Sequence, residues 1–412
     1  MSKVIVRCRS CGCKNFATII NLGSMYFTGI FPSEINQNVP QGELEMVRCL
    51  ECGLAQLKHS FPMDELYGKN YGYESHLNNS MVKHLKDLAI QLESQQKLRD
   101  NDVVLDIASN DGTLVSGYKN PKLRFIGIDP LSEILENNYP KNSVKVANFF
   151  SDDAFFEVSS RKAKVITSCS VFYDLEEPLS FVNSISNVMS KDGIWVLEQS
   201  YYYSMIDTLS FDTICHEHLL YLTLTDISNL LKHTDLMIYD VSFNETNGGS
   251  FRVYISKKSA SRVASQNVEM ILRKENKRRD NWEKESVDFL QNVNLFKDQL
   301  LDIFSKHLSN LGCIHGVGAS TKGNVLLQYC GIKNDVMSSI GEINPKKFGH
   351  FTPGSSIPII SEEELFETIN SNCLLTVLPW HFFDNIKGNL NRKYSKQISY
   401  LRPLPIKPKL FI

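Results

Sequence analysis

The chain has 412 residues, with 44 Lys and Arg against 46 Asp and Glu, so its formal net charge at pH 7 is −2. This balance gives no basic surface for nucleic acid, and no stretch approaches the roughly 20 consecutive apolar residues that span a membrane. The N-terminus shows no signal peptide. Four of the ten cysteines lie in paired motifs and the other six are scattered singly, which fits a reducing compartment. We therefore expect a cytoplasmic chain of roughly two to four domains, a monomer or small homo-oligomer without nucleic-acid or membrane partners.

Two CxxC pairs lie near the start of the chain. Cys8 and Cys11 form the first pair, Cys49 and Cys52 form the second, and a glycine follows each pair. Such matched knuckles are typical of a tetrahedral four-cysteine zinc site, with a redox pair or coincidence as the alternatives. Because cysteine fills all four positions, no site is left for water. We expect a structural zinc ion in a small module over residues 1–66.

A β/α alternation begins at Val103. Residues 103–107 predict a buried strand, 108–112 a tight turn that opens a helix, and 124–128 a second strand that ends at Asp129. An acid in this place can accept both hydroxyls of a ribose, while the turn lets the backbone approach the ligand. The turn lacks the spaced glycines that a bridging diphosphate requires. S-adenosylmethionine (SAM) is therefore the expected ligand, although many doubly wound α/β domains also carry an acid here.

Further buried strands are predicted at residues 144–147, 165–169 and 194–198. In a parallel sheet, the carboxyl ends of such strands meet at one crevice, where ligands bind. A phenylalanine in this crevice could stack on adenine, and core packing is an equally weighted alternative. The residues expected to contact SAM from these strand ends are Asp106, Ala108, Asn110, Asp129, Pro130, Phe149, Phe150 and Ser170.

Two histidines flank a glutamate at His216-Glu217-His218. Metal binding is not favoured, because residues at i and i+2 do not share a helix face; on a strand the two imidazoles would share one face. Histidine titrates near pH 6.5 and can take up a proton at neutral pH. The motif therefore indicates acid–base chemistry, with histidines that have no catalytic role as the alternative.

Together, these motifs resemble those of the bacterial sugar C-methyltransferase family, three-domain SAM enzymes that act on nucleotide-linked 4-keto deoxysugars. They follow the family's order over nearly the whole chain. The resemblance rests on the paired CxxC knuckles, Tyr71-x-Tyr73-x-Ser75, Ser109-Asn110-Asp111-Gly112, Phe211-Asp212-Thr213-Ile214-x-His216-Glu217-His218, Gly318-Ala319-x-x-Lys322-Gly323-Asn324, Tyr329-Cys330-Gly331, Asn344-Pro345, Pro353-Gly354 and Ile357-Pro358.

The resemblance implies a role for each matching position. His218 would be the base that removes the proton from the sugar carbon beside the ketone, with Glu217 and His216 positioning that base or the substrate. Tyr73 and Ser75 would help to close the cleft over the cofactor. The enolate formed in this way would attack the sulfonium methyl group, and its alignment with that group is a proximity effect.

Three positions depart from the family pattern. Cys215 stands where many relatives have tyrosine, Ala108 where they often have glycine, and Asp174 near a position where they have histidine. Since two of these lie in the expected active site, methylation of a sugar hydroxyl stays open as an alternative. The expected catalytic set is His218, His216, Glu217, Cys215, Tyr221 and Tyr173.

The last third of the chain predicts a second α/β unit. Residues 257–311 are charged and helical, and the dense run 273–279 is predicted to be a solvated helix face rather than a polyanion site. A GxG turn at 316–318 follows a predicted strand and opens a helix, so it could bind phosphate or simply be a tight turn. With Lys322 just beyond, this domain is expected to hold the substrate's nucleotide diphosphate. The expected substrate contacts are Gly318, Lys322 and Asn324.

The predicted fold class is α/β with three units. They are the N-terminal zinc module over 1–66, a central Rossmann-like SAM methyltransferase domain over 67–255, and a C-terminal Rossmann-like α/β domain over 256–412. A nicotinamide-dependent oxidoreductase is a weaker alternative, because the nearest ribose acid after the GxG turn would be Glu342. A zinc-ribbon adaptor without catalysis is disfavoured by the density of the His-Glu-His and SAM motifs.

Overall fold

The computed structural model describes residues 2–62, 66, 73–135, 138–310, 312–394 and 396–411. Tyr71 of the tyrosine–serine motif lies outside these ranges, as do residues 67–72 at the predicted start of the central domain. Among the described residues, no helix has the length and apolar character needed to cross a membrane.

The N-terminal unit is a small antiparallel sheet. Its central strand alternates buried Leu44 and Met46 with outward polar residues, the period expected of a sheet with one covered face. The strand before it and the strand after it pair with its two edges, and the short first and last strands form a separate ribbon. The strands are β1 (Lys3–Val4), β2 (Phe16–Tyr26), β3 (Gln41–Cys49), β4 (Ala55–Leu57) and β5 (His59–Ser60).

The central unit is a seven-stranded sheet in the order β12-β13-β10-β9-β6-β7-β8. Strands β6 to β10 run parallel, and β13 is antiparallel to both neighbours. The elements are α1 (Asn79–Gln96), β6 (Val103–Ile107), β7 (Arg124–Ile128), β8 (Val144–Val146), α2 (Asp152–Val158), β9 (Ala163–Cys169), α3 (Pro178–Val188), β10 (Met189–Ser200), α4 (Tyr202–Thr208), β11 (Leu220–Tyr221), α5 (Leu224–Leu231), β12 (Leu236–Asn244) and β13 (Ser250–Lys257).

Strand β6, in the middle of this sheet, is buried along its whole length, as a parallel strand covered on both faces requires. The carboxyl ends of β6, β7 and β9 meet at one edge, because these neighbours run in the same direction. That edge is where the expected SAM residues lie.

Strand β11 does not belong to the large sheet. Leu220 pairs with Gln56 and Tyr221 with Ala55, so β11 extends the N-terminal sheet to the order β11-β4-β3-β2. The chain reaches this strand directly after His216-Glu217-His218. The zinc module and the histidine motif are therefore joined through one sheet.

The C-terminal unit is a six-stranded sheet in the order β16-β15-β14-β17-β18-β19, parallel except for its last strand. Cys313 and Cys373 are register partners in neighbouring strands and form a disulfide, so these two cysteines are not the isolated thiols that the sequence suggested. The elements are α6 (Gln266–Arg279), α7 (Trp282–Ser309), β14 (Cys313–Val317), α8 (Thr321–Cys330), β15 (Ile340–Glu342), β16 (Ile359–Ser361), α9 (Glu362–Thr368), β17 (Cys373–Val377), α10 (Phe383–Lys393), β18 (Ser399–Arg402) and β19 (Lys409–Phe411).

The observed architecture confirms the predicted fold class, an α/β chain with a four-cysteine cluster and two α/β sheets. The charged run at 273–279 is a solvated face in part, since residues 273, 274, 276 and 277 are exposed. Glu275 is fully buried, and Arg278 forms a bidentate ion pair with Asp207 of α4. These two residues attach α6 to the central unit, because their partners lie far away in the sequence.

Candidate active site

The four knuckle cysteines converge in the N-terminal unit. Their Sγ atoms all lie within 4.8 Å of one another, with Cys8 Sγ 3.6 Å from Cys52 Sγ and Cys11 Sγ 3.5 Å from Cys49 Sγ. Zinc–sulfur bonds of about 2.3 Å in a tetrahedron require sulfur separations of about 3.8 Å, so the donor set fits zinc. Cys13 lies outside this cluster. The prediction of a structural zinc site is confirmed, and the ion's role is to hold these loops together.

The first turn of the central sheet has strained backbone. Ala108 and Asn110 have φ of 54° and 49°, and Ser170 at the end of the neighbouring strand β9 has φ of 56°. A positive φ costs conformational free energy for residues other than glycine, and residues with this backbone conformation are often found at ligand sites. Asp129 receives hydrogen bonds from Asn110 N (2.9 Å) and Leu131 N (2.7 Å). Each of its carboxylate oxygens keeps a further lone pair for a ribose hydroxyl.

A short segment before α1 lies across this turn. Asn110 donates from Nδ2 to Tyr73 O (3.1 Å) and accepts from Ser75 N at Oδ1 (3.0 Å), while Asp111 accepts from His76 N at 2.8 Å. Ser75 is buried and Tyr73 is half exposed. These contacts hold Tyr73 and Ser75 beside the expected cofactor turn, and their role in closing the cleft over SAM stays a prediction.

The remaining expected SAM residues occupy different environments. Asp106 is buried within β6, where Thr167 Oγ1 donates to it at 2.6 Å and burial raises its pKa to about 7. Phe149 is exposed, whereas the Phe150 ring packs 5.0 Å from the Phe181 ring. Of the two phenylalanines, Phe149 is therefore the one available to stack on adenine. Pro130 is half-buried beside Asp129.

His218 has a defined tautomer. Its Nδ1 lies 2.8 Å from Thr213 O, and because a carbonyl only accepts, Nδ1 carries the proton. The lone pair therefore resides on Nε2. Burial and the nearby Lys322 charge lower the pKa of His218 to about 3, so the imidazole is neutral at pH 7. Its ring lies 4.2 Å from the Tyr173 ring.

The other histidine of the motif faces away from this group. The chain makes a turn at residues 216 and 217 rather than a strand. His216 is buried between the rings of Phe27 and Phe61, at 4.7 and 4.8 Å, and its Nε2 donates to Gly42 O at 3.2 Å. The structure therefore does not bring His216 to the reacting face of His218. Its surroundings correct the expected catalytic role to one of packing against the zinc module.

Glu217 and Cys215 are neighbours in a buried pocket. Burial raises the pKa of both groups, and the charge of Glu217 raises that of the Cys215 thiol further. Cys215 is fully buried and its raised pKa favours the protonated thiol at neutral pH, which disfavours a role as nucleophile. Glu217 lies beside His218 in the chain, but among the described residues no hydrogen bond joins it to the imidazole, and its Oε2 has no hydrogen-bond partner there.

A small cavity adjoins His218. Tyr173 and Tyr221 both line it, and burial keeps the pKa of the Tyr221 hydroxyl well above its ordinary value, so this group can only act in its protonated form. Asp174 is buried in the same short turn as Tyr173. The lining residues are Tyr173, Ser200, Tyr202, Met205, Thr213, His218, Leu220 and Tyr221.

Several buried polar atoms around His218 have no hydrogen-bond partner in the part of the chain that the structure describes. Such atoms are rare in folded proteins and indicate a ligand or water. They come from the turn before His218, from the motif itself, from β11 and from the C-terminal unit. The atoms are Asp212 Oδ1, Glu217 Oε2, Tyr221 Oη and His381 Nδ1.

The GxG turn of the C-terminal unit satisfies its own amides. Gly318 N donates to Gly341 O at 2.8 Å, Ala319 N donates to the Glu342 carboxylate at 2.9 Å, and Ser320 caps α8. A side chain at Gly318 would collide with Pro379. This turn therefore does not offer free amides to a diphosphate, and the Glu342 carboxylate is already engaged, which also disfavours a nicotinamide ribose there.

The two other expected substrate residues point in different directions. Asn324 Nδ2 donates to Thr28 O at 2.7 Å and is buried, so it joins α8 to the zinc module rather than facing a cleft. Lys322 reaches the central unit, where Nζ donates to Asn247 O at 2.9 Å. Of the three residues, only Lys322 is placed near the His218 group. Its environment corrects the expectation that it binds a diphosphate at the GxG turn.

Sequence reasoning missed the C-terminal contribution at Trp380. Its Nε1 donates to Asp212 Oδ2 at 2.8 Å, directly before the carbonyl that holds His218. A Pro-Trp-His segment after a predicted strand was visible in the sequence, but no pattern connected it with a residue 168 positions away. Only the packing of the two units brings them together.

Three family models match this chain. A zinc binding domain covers residues 8–67, a methyltransferase domain covers 73–241, and a C-methyltransferase C-terminal domain covers 245–405. C-methyltransferase NovU of Streptomyces niveus is 24% identical over 407 residues, which span 97% of this chain and 96% of NovU.

Solved structures align with part of the chain. The plantazolicin methyltransferase BamL, in complex with a triazolic desmethylPZN analog and SAH, covers 43% of this chain and 86% of its own length at 14% identity, with a TM-score of 0.34. An S-adenosylmethionine-dependent methyltransferase from Clostridium acetobutylicum ATCC 824 covers 45% of this chain and 92% of its own at 16% identity, with a TM-score of 0.32.

The chain is a SAM-dependent methyltransferase. Its zinc module matches a zinc binding domain and its last third a C-methyltransferase C-terminal domain, and nearly the whole chain is similar to C-methyltransferase NovU. The assignment predicted from the motifs is confirmed at this level, and so are the two expected cofactors, SAM and a structural zinc ion.

Proposed function

We propose that the enzyme methylates the carbon beside the ketone of a nucleotide-linked 4-keto deoxysugar, in the biosynthesis of branched or deoxy sugars for a surface polysaccharide or an antibiotic. His218 serves as the base that forms the enolate. The cytoplasm is the proposed compartment, because the four zinc-binding cysteines must stay unoxidised.

The geometry of His218 carries this proposal. Thr213 O fixes the proton on Nδ1, so Nε2 offers its lone pair at a constant position. A general base needs a free lone pair within hydrogen-bond reach of the proton that it removes. The neutral form of His218 prevails at pH 7, since its pKa is lowered to about 3; this pKa makes it a weaker base than the ordinary value near 6.5 predicted, so proton removal relies on stabilisation of the enolate that forms.

The residues around His218 support a polar acceptor substrate. Asp212, Glu217 and Tyr221 each present a buried polar atom that lacks a partner among the described residues. A sugar with several hydroxyl groups and a ketone can satisfy such atoms with donors and acceptors of its own. Bound SAM supplies an electrophilic methyl group, and the strained turn at Ala108 with Asp129 is the site that would hold it.

Substrate profiling tests this function. Purified enzyme is incubated in D₂O with SAM and a panel of 4-keto nucleotide sugars, beside matched sugars whose C4 bears a hydroxyl. We expect a mass gain of one methylene with the keto sugars alone, and deuterium uptake beside the ketone when SAM is replaced by S-adenosylhomocysteine.

Variants assign the proton transfer. His218→Gln should lower both methylation and deuterium uptake by about 10²–10⁴-fold, the usual contribution of a general base, while Cys215→Ser should keep most of the activity. Methylation of the hydroxyl sugars, or normal turnover in folded His218→Gln, would replace this mechanism with O-methylation.

A further inference from the structure

The N-terminus of α8 faces the histidine motif. Gly29 lies between the two: a methyl group in place of its hydrogen would be 2.6 Å from Glu217 Oε1 and 3.9 Å from Thr321 Oγ1. Asn324, further along the same helix, is bonded to the adjacent Thr28 O. The first turn of α8 is therefore held against the segment that carries Glu217 and His218.

Lys322 extends from this turn into the interior. Its ammonium group donates to Asn247 O at 2.9 Å, and within the described part of the chain that carbonyl is its one hydrogen-bond acceptor. An ammonium group has three N–H donors. Two of them are therefore available to another acceptor, in surroundings where burial makes an unsatisfied cation costly.

The charge of Lys322 acts on the groups around the base. Burial lowers the pKa of His218 and of His381, and the Lys322 charge lowers both further; burial also lowers the pKa of Lys322 itself, which the charge of Asp212 partly offsets. Charges shift each other's pKa in this way over a few ångströms. Asp212 itself is bonded to Trp380 through Oδ2 and leaves Oδ1 without a partner among the described residues. Position and charge thus associate Lys322 with the groups around His218.

We propose that Lys322 is a catalytic residue, whose ammonium group binds the ketone oxygen of the substrate and stabilises the negative charge that develops there. This inference rests on the proposed function. The C-terminal domain thereby contributes directly to the chemistry, and the central domain alone would hold a base without its electrophilic partner.

Enolate formation and methyl transfer follow one another, and each bond that forms is matched by one that breaks. Nε2 of His218 takes the proton from the carbon beside the ketone, and the electrons of that C–H bond form the enolate C=C bond while the carbonyl pair moves onto oxygen. Lys322 stabilises this oxyanion by hydrogen bonding and charge. When the carbon then attacks the sulfonium methyl group of SAM, the C–S bond breaks, the thioether keeps the electron pair, and the ketone is restored. The proton leaves His218 to solvent.

Removal of the ammonium group tests the assignment. Lys322→Met should lower kcat for methylation and the rate of deuterium uptake by about 10²–10³-fold, the usual loss for an oxyanion donor, with unchanged affinity for SAM by calorimetry. Lys322→Arg should retain more activity, because it keeps the charge. An unchanged rate of deuterium uptake in Lys322→Met would overturn the proposal.

Lys347 provides a matched control. Like Lys322, it is a half-buried lysine of the C-terminal domain, and its Nζ donates to Ala319 O at 2.8 Å and lies 4.0 Å from Glu342. Lys347→Met should keep the wild-type rate of deuterium uptake. An equal loss in this variant would show that the removal of any half-buried lysine disturbs the fold, and would overturn the catalytic assignment.

A measurement without substrate separates this inference from the proposed function. NMR titration of His218, identified by the resonance missing from His218→Gln, should give a higher pKa in Lys322→Met than in the wild type, because a neighbouring cation has been removed. An unchanged pKa would overturn the placement of Lys322 beside the base. If the wild type methylates no keto sugar while this pKa rises, the proposed substrate is wrong and the pairing of Lys322 with His218 stands.

Discussion

Asp129 accepts two hydrogen bonds from the backbone and still has lone pairs that face the cofactor crevice. We expect Asp129→Ala to weaken SAM binding through the loss of one or two charge-assisted hydrogen bonds, about 1.5–3 kcal/mol each, which is at least about tenfold in Kd. Calorimetry with SAM measures this. Asp100→Ala, which removes an acid that contacts Lys122 on the surface, is the control, and an unaltered Kd for Asp129→Ala would place the ribose elsewhere.

His216 makes stability depend on pH. Burial lowers its pKa to about 4 from an ordinary value near 6.5, so below pH 6.5 the unfolded chain binds a proton that the folded chain does not. This group therefore destabilises the fold as the pH falls from 7 to 5, by about 2 kcal/mol. His216→Gln keeps a donor for Gly42 O and does not titrate. Denaturant unfolding at pH 7 and pH 5 should show a smaller acid loss in the variant; equal losses would contradict the assignment.

The two histidines of the motif show what the sequence could and could not predict about single residues. The motif predicted acid–base chemistry and identified His218 by resemblance, but it did not separate the environments of the two imidazoles. Their difference arises because a turn sends one ring between Phe27 and Phe61, which come from the zinc module. A spacing of two residues carries no information about such a contact.

The two knuckles act as a single element, because each pair supplies half of the zinc ligands. Cys8→Ser and Cys49→Ser should each abolish zinc binding and destabilise the N-terminal sheet, since the binding energy of a structural zinc site is also folding energy. Cys13→Ser should retain one zinc per chain, because Cys13 lies outside the cluster. Metal analysis of protein purified without chelators decides this; a zinc-free wild type would refute the site.

Secondary structure elements were predictable where local pattern determines them. The buried strands of the central sheet and the long helices α6 and α7 lie where apolar runs and charged periodicity place them. The charged run of α6 shows the limit, because an ion pair such as Arg278–Asp207 joins residues 71 positions apart. Whether a charge is solvated depends on that partner and not on its neighbours in the sequence.

The three units of the molecule are held together by buried polar contacts between them. Glu275 of α6 accepts from Tyr201 Oη, Leu224 N and Thr225 N at 2.8, 2.9 and 2.7 Å, and thereby caps α5 of the central unit. Glu275→Ala would leave buried amide donors unsatisfied, at about 1–3 kcal/mol each.

We expect a clearly lower Tm for Glu275→Ala, measured by calorimetry. Glu269→Ala on the exposed face of the same helix, which removes a surface pair with Arg273, should change stability by less than about 0.5 kcal/mol. Equal Tm values for the two variants would show that the interdomain cap contributes nothing to stability.

Strand β11 makes the position of His218 depend on whether the N-terminal module contains zinc. His218 precedes by two residues the strand that pairs with β4, and β4 begins shortly after the second zinc knuckle. Loss of zinc would unfold that knuckle and free one end of the loop on which the base is carried. A chelator would then inactivate the enzyme at the pace of metal loss. In an inhibition assay the protein would behave like a metal-dependent transferase, although its zinc has four thiolate ligands and no open position for a substrate.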